Sequence, residues 1–190
     1  WDNRSPFCSL PLLSRLNMTT RSTLLDDRAI ARALTRMASE LVEQCKGTED
    51  VLLVGIQRRG VELAARLSRL IEALEGHPIP SGKLDITLYR DDLQAVGPRP
   101  VVGETRLPSD LDGRTIVIVD DVLYTGRTTR AALDELADFG RPRRILLCVL
   151  VDRGGRELPI QPDIVGLRQI IGPDDRIEVL ITEIDGRDAV

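Results

Sequence analysis

Residues 115–129 read TIVIVDDVLYTGRTT. The opening run, TIVIV, is composed of β-branched residues, as suits a strand covered on both faces in a mostly parallel sheet. Asp120 and Asp121 stand at its carboxyl end. Val122 and Leu123 lead into a loop of hydroxyls around one glycine, Tyr124, Thr125, Gly126, Arg127, Thr128 and Thr129, and a helical pattern over residues 131–139 closes at Gly140. In open α/β sheets, ligands bind outside the carboxyl ends of strands, where the next helix offers unpaired N–H groups and the positive end of its dipole. The stretch therefore predicts an anion pocket with two acids on its rim.

A phosphorylated sugar suits this chemistry better than a nucleoside triphosphate. Gly126 lets the backbone approach a phosphate, the threonine hydroxyls add donors and Arg127 adds charge. Asp120 and Asp121 can accept hydrogen bonds from vicinal ribose hydroxyls or hold them through Mg²⁺. Neither GxxxxGK[ST] nor GxGxxG occurs, which excludes a P-loop and a dinucleotide fingerprint. The competing reading is a plain strand-to-helix turn with solvated carboxylates.

The rest of the chain repeats the pattern. Residues 51–56 form a second buried-strand pattern, followed by Gln57, Arg58, Arg59 and Gly60 and a helix over residues 61–74. An arginine pair between strand end and helix start is a second candidate anion site, or else a solvated turn. A long amphipathic helix spans residues 26–46, with Ile30, Ala33, Leu34, Met37, Leu41 and Cys45 at helical spacing. Leu84, Ile86 and Leu88 alternate with polar residues and predict a strand ending in Tyr89, Arg90, Asp91 and Asp92. The Pro- and Gly-rich stretch that follows, with a short hairpin around Val101 and Val102, reads as a flexible flap or as a mobile loop. Further strands are expected over residues 144–151, 163–165 and 176–184.

The motifs VIVDDVLYTGRTT, GIQRRG (55–60), LDITLYRDDL (84–93) and VLVDRGGRELPI (149–160) resemble, at matching spacing, the pyrimidine operon attenuation and uracil phosphoribosyltransferase family. The first of them is similar to the signature of type I phosphoribosyltransferases in general. The resemblance covers residues 24–188 and implies a single-domain α/β fold with a mostly parallel central sheet flanked by helices, a small hood and a flexible loop. It implies transfer from 5-phosphoribosyl 1-diphosphate to uracil, giving UMP and diphosphate, with Mg²⁺ as cofactor. It also implies attenuation through a pyrimidine-operon leader RNA governed by UMP or UTP, and a homodimer or higher homo-oligomer.

On that resemblance, Asp120, Asp121, Arg58 and Arg90 are the catalytic candidates, with the two aspartates holding Mg²⁺ through water or ribose. Residues 122–129, Arg59, Tyr89, Arg153 and Ile177 complete the substrate site, and the loop at Arg58 is one that often carries a strained peptide in such transferases. Arg141, Arg144, Arg156 and Arg168 are the RNA candidates, a solvated arginine surface being the other reading. The sequence departs from the family pattern at Gly155, where histidine is usual, and at residues 167–171, LRQII, where a GKN-type segment is usual. A DNA-binding relative of the same fold would need an added winged-helix domain, for which residues 1–50 leave no room.

Composition narrows the alternatives. The 190 residues, 42% hydrophobic, fit one domain, taken as residues 18–190 after an irregular extension over 1–17, with Met18 expected near the natural start. With 26 basic and 30 acidic residues and a net charge of −4, the chain as a whole does not advertise nucleic-acid binding, so any RNA contact must be local. Cys8, Cys45 and Cys148 are scattered and without CxxC, which points to a reducing cytoplasm. No segment reads as a membrane span or signal peptide. A single histidine, His77, excludes Ser-His-Asp and Cys-His machinery, so catalysis must rest on positioning and electrostatics.

Overall fold

In the computed structural model, residues 21–89, 91, 103–108 and 111–190 are described. The expected extension over residues 1–17, Arg90 and the hairpin around Val101 and Val102 lie outside them. Five strands, β1 (Val51–Ile56), β2 (Ser81–Leu84), β3 (Thr115–Leu123), β4 (Arg144–Asp152) and β5 (Ile164–Arg168), form one sheet in the order β2-β1-β3-β4-β5, every pair parallel. Helices α1 (Asp27–Cys45) and α2 (Arg59–Glu75) pack on one face and α3 (Arg127–Phe139) on the other.

The central strands read as continuous apolar runs because both faces are covered. All six residues of β1 are buried, as are the first six of β3. Alternate side chains serve the two cores. Val117 and Val119 meet Ile30, Leu34, Leu63 and Leu67, whereas Ile116 and Ile118 meet Ala132, Leu136 and Leu147. The amphipathic pattern of α1 holds as expected, with Asp26 accepting from the Ala29 N–H at its start and Lys46 in a left-handed conformation at its end.

Two strand expectations fail. The alternation of Leu84, Ile86 and Leu88 is not a strand: β2 ends at Leu84, and residues Ile86–Tyr89 form a 3₁₀ turn. Asp85 redirects the backbone, since its Oδ1 accepts from the Thr87 N–H at 3.0 Å and Leu88 is left 56% exposed. The outer edge of β2 is met instead by the segment returning at residues 103–107, through an antiparallel bridge between Lys83 and Arg106. Residues 176–184 likewise form no strand. They make one antiparallel bridge, Leu180 to Ala189, and the short helix α4 (Thr182–Asp185).

Order 2-1-3-4-5 fixes where a ligand goes. From β1 the chain steps outward to β2, then returns across β1 to β3 and continues the other way. The connections therefore diverge at the carboxyl ends of β1 and β3 and leave a crevice there. Both halves of the sequence signal meet at it.

Candidate active site

One wall of the crevice is the β1–α2 turn, drawn tight by glycines. A Cβ on Gly55 would lie 2.4 Å from the Val61 Cα, and one on Gly60 would lie 2.3 Å from the Val119 carbonyl oxygen. Only hydrogen fits at these contacts, so the amino end of α2 is pressed against β3 beside Asp120. The Gln57–Arg58 peptide is cis, and no side chain caps α2. Arg59 forks onto Asp185 of α4, from Nε at 3.1 Å and from Nη2 at 2.9 Å. That hydrogen bond, with the nearby charges of Asp121 and Glu178 adding to it, raises the Arg59 pKa, so the guanidinium is firmly cationic.

The opposite wall is the β3–α3 turn. β3 runs on through Leu123, so Asp120 and Asp121 are part of the strand, and Arg127, Thr128 and Thr129 are the first turn of α3. The loop is thereby shorter than the sequence suggests. Asp120 is 8% exposed, and burial together with the neighbouring Asp121 charge pushes its carboxyl well above the usual carboxylate range. Such a group gains from hydroxyl donors or a cation. Gly126 turns the chain at φ +93° and, as the N-cap residue, offers α3 no side-chain cap, which leaves main-chain N–H groups facing the crevice end of the helix. Among the described residues only the Arg127 N–H finds a local side-chain acceptor, Thr125 Oγ1 at 3.3 Å. The Thr129 hydroxyl is buried and has no protein partner among the described residues.

Not every candidate joins this cluster. Val122 and Leu123 turn their side chains into the two cores. Arg127 spans Asp91 and Glu157, at 2.6 and 2.8 Å. Arg153 is 8% exposed, stacks 3.8 Å over the Tyr124 ring and keeps a buried Nε without a partner among the described residues. Gly155, at φ +72°, lies under the same ring, where a Cβ would approach it to 2.4 Å. Ile177 is half-buried against the α1 and α2 core. Tyr89 donates its hydroxyl to Asp138 in the last turn of α3. That is about 16 Å along the helix from the phosphate loop, at 1.5 Å per residue. The Tyr89 hydroxyl thus points to the far end of α3, while its carbonyl accepts from Arg130 near the start of that helix at 3.3 Å.

The four RNA candidates do not share a face. Arg141 and Arg144 are exposed at the amino end of β4, while Arg168 lies beside Asp152 at its carboxyl end. The separation is about 26 Å at 3.3 Å per residue. Arg156 is consumed internally: Nε donates to the Ile160 carbonyl at 2.9 Å, Nη1 to that of Tyr124 at 2.8 Å, and Nη2 to Asp152 at 2.6 Å. A guanidinium so engaged has few donors left for an RNA phosphate.

Comparison with known proteins matches this geometry. Residues 20–182 match the family described as "Phosphoribosyl transferase domain". Solved structures with the same fold include a hypoxanthine-guanine phosphoribosyltransferase from Bacillus anthracis, 17% identical at TM-score 0.63, covering 78% of this chain and 83% of that one. A purine phosphoribosyltransferase from Pyrococcus horikoshii is 27% identical at TM-score 0.56, covering 83% and 95%. Fold, crevice and match together define a phosphoribosyltransferase of the type I class. Over 173 residues the chain is 56% identical to the bifunctional protein PyrR of Thermus aquaticus, covering 91% of this chain and 96% of the relative. The corresponding protein of Clostridioides difficile (strain 630) is 51% identical, with 91% and 98% covered. The chain belongs to the family of bifunctional PyrR proteins.

Proposed function

We propose that the protein transfers the phosphoribosyl group of 5-phosphoribosyl 1-diphosphate to N1 of uracil, giving UMP and diphosphate. We further propose that it acts as an RNA-binding attenuator of pyrimidine genes, answering to uridine nucleotides. The observation that carries the reading is the meeting, at one sheet switch point, of two uncapped helix amino ends and an adjacent acid pair. The PyrR relatives, whose name declares two activities, support the pairing of roles.

The N–H groups at the start of α3, with the Thr125, Thr128 and Thr129 hydroxyls, hold the 5′-phosphate. Asp120 and Asp121 accept the ribose 2′- and 3′-hydroxyls and so orient C1 toward the base. Arg58 and Arg59, at the positive end of α2, receive the diphosphate as the C1–O bond breaks and the C1–N1 bond forms. The N1 proton passes to solvent, since His77 stands before β2 at the amino end of the sheet. Arg153, stacked beside the loop, lies toward the base.

The donor set fits Mg²⁺. Among the described residues no group of three or more His, Cys, Asp or Glu could cage a metal. Mg²⁺ is, however, bound through one or two carboxylates with the rest of its shell from water and substrate oxygens, and Asp120 and Asp121 offer that pair. When bound, the ion would neutralise charge developing on the diphosphate.

For the RNA role, Arg141 and Arg144 remain exposed candidates, with Arg168 at the other end of the sheet. No helix among the described residues is long and apolar enough to cross a membrane. The fitting assembly is a cytoplasmic homo-oligomer whose repeated surfaces combine these arginines.

Diphosphate release measured with and without uracil and Mg²⁺ tests the transferase. Release should require both, and Asp121→Asn should lower turnover about a hundredfold while the protein stays folded. Unchanged release in that variant would sink the assignment of the acid pair. A leader-hairpin titration in rising salt, with and without UMP, tests the second role: salt-sensitive, UMP-enhanced binding is expected, and binding indifferent to both would refute it.

A further inference from the structure

We infer that Asp185, on α4 and outside the crevice, is a positioning residue for the transfer: it sets the Arg59 guanidinium in the orientation that meets the donor's diphosphate. The inference rests on the reading of Arg59 as a diphosphate contact.

Arg59 is the first residue of α2, and its side chain is partly exposed there, at 30%. Its two contacts to Asp185, 3.1 Å from Nε and 2.9 Å from Nη2, constrain it. Among the described residues the fork uses the Nε/Nη2 edge, so both Nη1 hydrogens stay available to an anion. The Asp185 carboxylate is itself fixed, since Oδ2 also accepts the Ile181 N–H at 2.9 Å.

A second fork braces the segment that carries it. Arg66, two turns further along the same face of α2, reaches Glu183 and Asp188, both at 2.5 Å. Asp188 accepts in turn from the Thr182 N–H at 2.7 Å, and Val190 is tied to Leu25 by a 2.9 Å backbone bond. Residues 180–190 thus form a bracket along α2. Arg66 and Asp188 carry the mechanical load, while Asp185 is the hydrogen-bond partner of Arg59 among the described residues. The two tasks separate by residue, so they separate by mutation.

The test is steady-state kinetics on Asp185→Asn, Arg59→Gln, the double variant, and Asp188→Asn as a bracket control that does not touch Arg59. Asp185→Glu serves as the conservative variant. Asp185→Asn should raise the KM for the phosphoribosyl donor about three- to tenfold, the effect of losing a charge-assisted fork on a partly exposed arginine, with little change in the KM for uracil. Glutamate should restore part of that loss. In the Arg59→Gln background, Asp185→Asn should add nothing.

An additive double variant, a donor KM unmoved in Asp185→Asn, or an equal rise in Asp188→Asn would overturn the positioning role. If Arg59→Gln leaves the donor KM unchanged, the diphosphate role of Arg59 fails, and this inference falls with it. If Arg59→Gln raises that KM and Asp185→Asn does not, only the inference fails. Thermal unfolding of each variant separates loss of bracket stability from loss of donor affinity.

Discussion

Gly60→Ala isolates the contact that brings the arginine turn to the acid strand. A methyl there would lie 2.3 Å from the Val119 carbonyl oxygen and 3.4 Å from the Asp120 Cα. A carbon normally stands about 3.3 Å or more from a carbonyl oxygen, so the turn must retreat by about 1 Å. Both neighbours are backbone, and no side chain can swing aside. A misplacement of about 1 Å between groups that act on one substrate costs roughly a hundredfold in rate. Overpacking costs about 1–3 kcal/mol, against about 1 kcal/mol recovered when alanine replaces glycine in a helix. The net is a loss of about 1 kcal/mol, or roughly 2–4 °C in Tm for a chain of this size. Diphosphate release and thermal unfolding measure both quantities. Gly76→Ala is the control: φ is +79° and no atom lies within 4 Å of the new methyl, so it should cost stability without touching turnover. If Gly60→Ala turns over at the unaltered rate, the two walls of the crevice do not depend on this contact and the reasoning is wrong.

Thr129→Val removes a buried hydroxyl that has no protein partner among the described residues. Tm should hold or rise while the donor KM increases about tenfold; a lower Tm with an unchanged KM would show the hydroxyl to be structural. Glu135 is buried in α3, one oxygen accepting from Thr105 at 2.5 Å, and burial raises its pKa. A raised carboxyl pKa destabilises the fold as pH climbs past the unfolded value, so Glu135→Gln should stabilise the protein at pH 8 and less so at pH 4. Equal denaturation midpoints at pH 8 would refute this. Asp188 behaves oppositely: its hydrogen bonds with Arg66 lower its pKa from 3.8 to about 2. Its stabilisation is present above pH 4 and lost as pH falls from about 4 to 2. The shift corresponds to roughly 2 kcal/mol, screened by solvent to about 1 kcal/mol. Urea unfolding of Asp188→Asn against the unaltered protein should converge at pH 2, and a constant gap would contradict the assignment.

The sequence was most legible where one periodicity governs a whole element. The unbroken apolar runs of β1, β3 and β4 and the helical spacing of α1 and α3 leave little choice of partner face, and the paired acids before Thr-Gly-Arg-Thr-Thr pointed to the candidate site. Reading failed where a side chain intervened. Asp85 took up the Thr87 N–H and ended a strand that Leu84, Ile86 and Leu88 would have continued, while the weakly patterned SGKL at residues 81–84 became β2. The bracket of Arg59, Arg66, Glu183, Asp185 and Asp188 was invisible because its partners stand 117 to 126 positions apart and no local pattern links them. The engagement of Arg156 was hidden for a related reason: it looks like its exposed neighbours in sequence, yet its donors satisfy the carbonyls of a turn.

A crystal structure with 5-phosphoribosyl 1-diphosphate and Mg²⁺ bound would test the central claim most directly. The 5′-phosphate is expected on the N–H groups at the start of α3, the ribose hydroxyls on Asp120 and Asp121, and the diphosphate against Arg58 and Arg59. Density for the donor outside the crevice between β1 and β3, or inside it with the aspartates turned away, would contradict it.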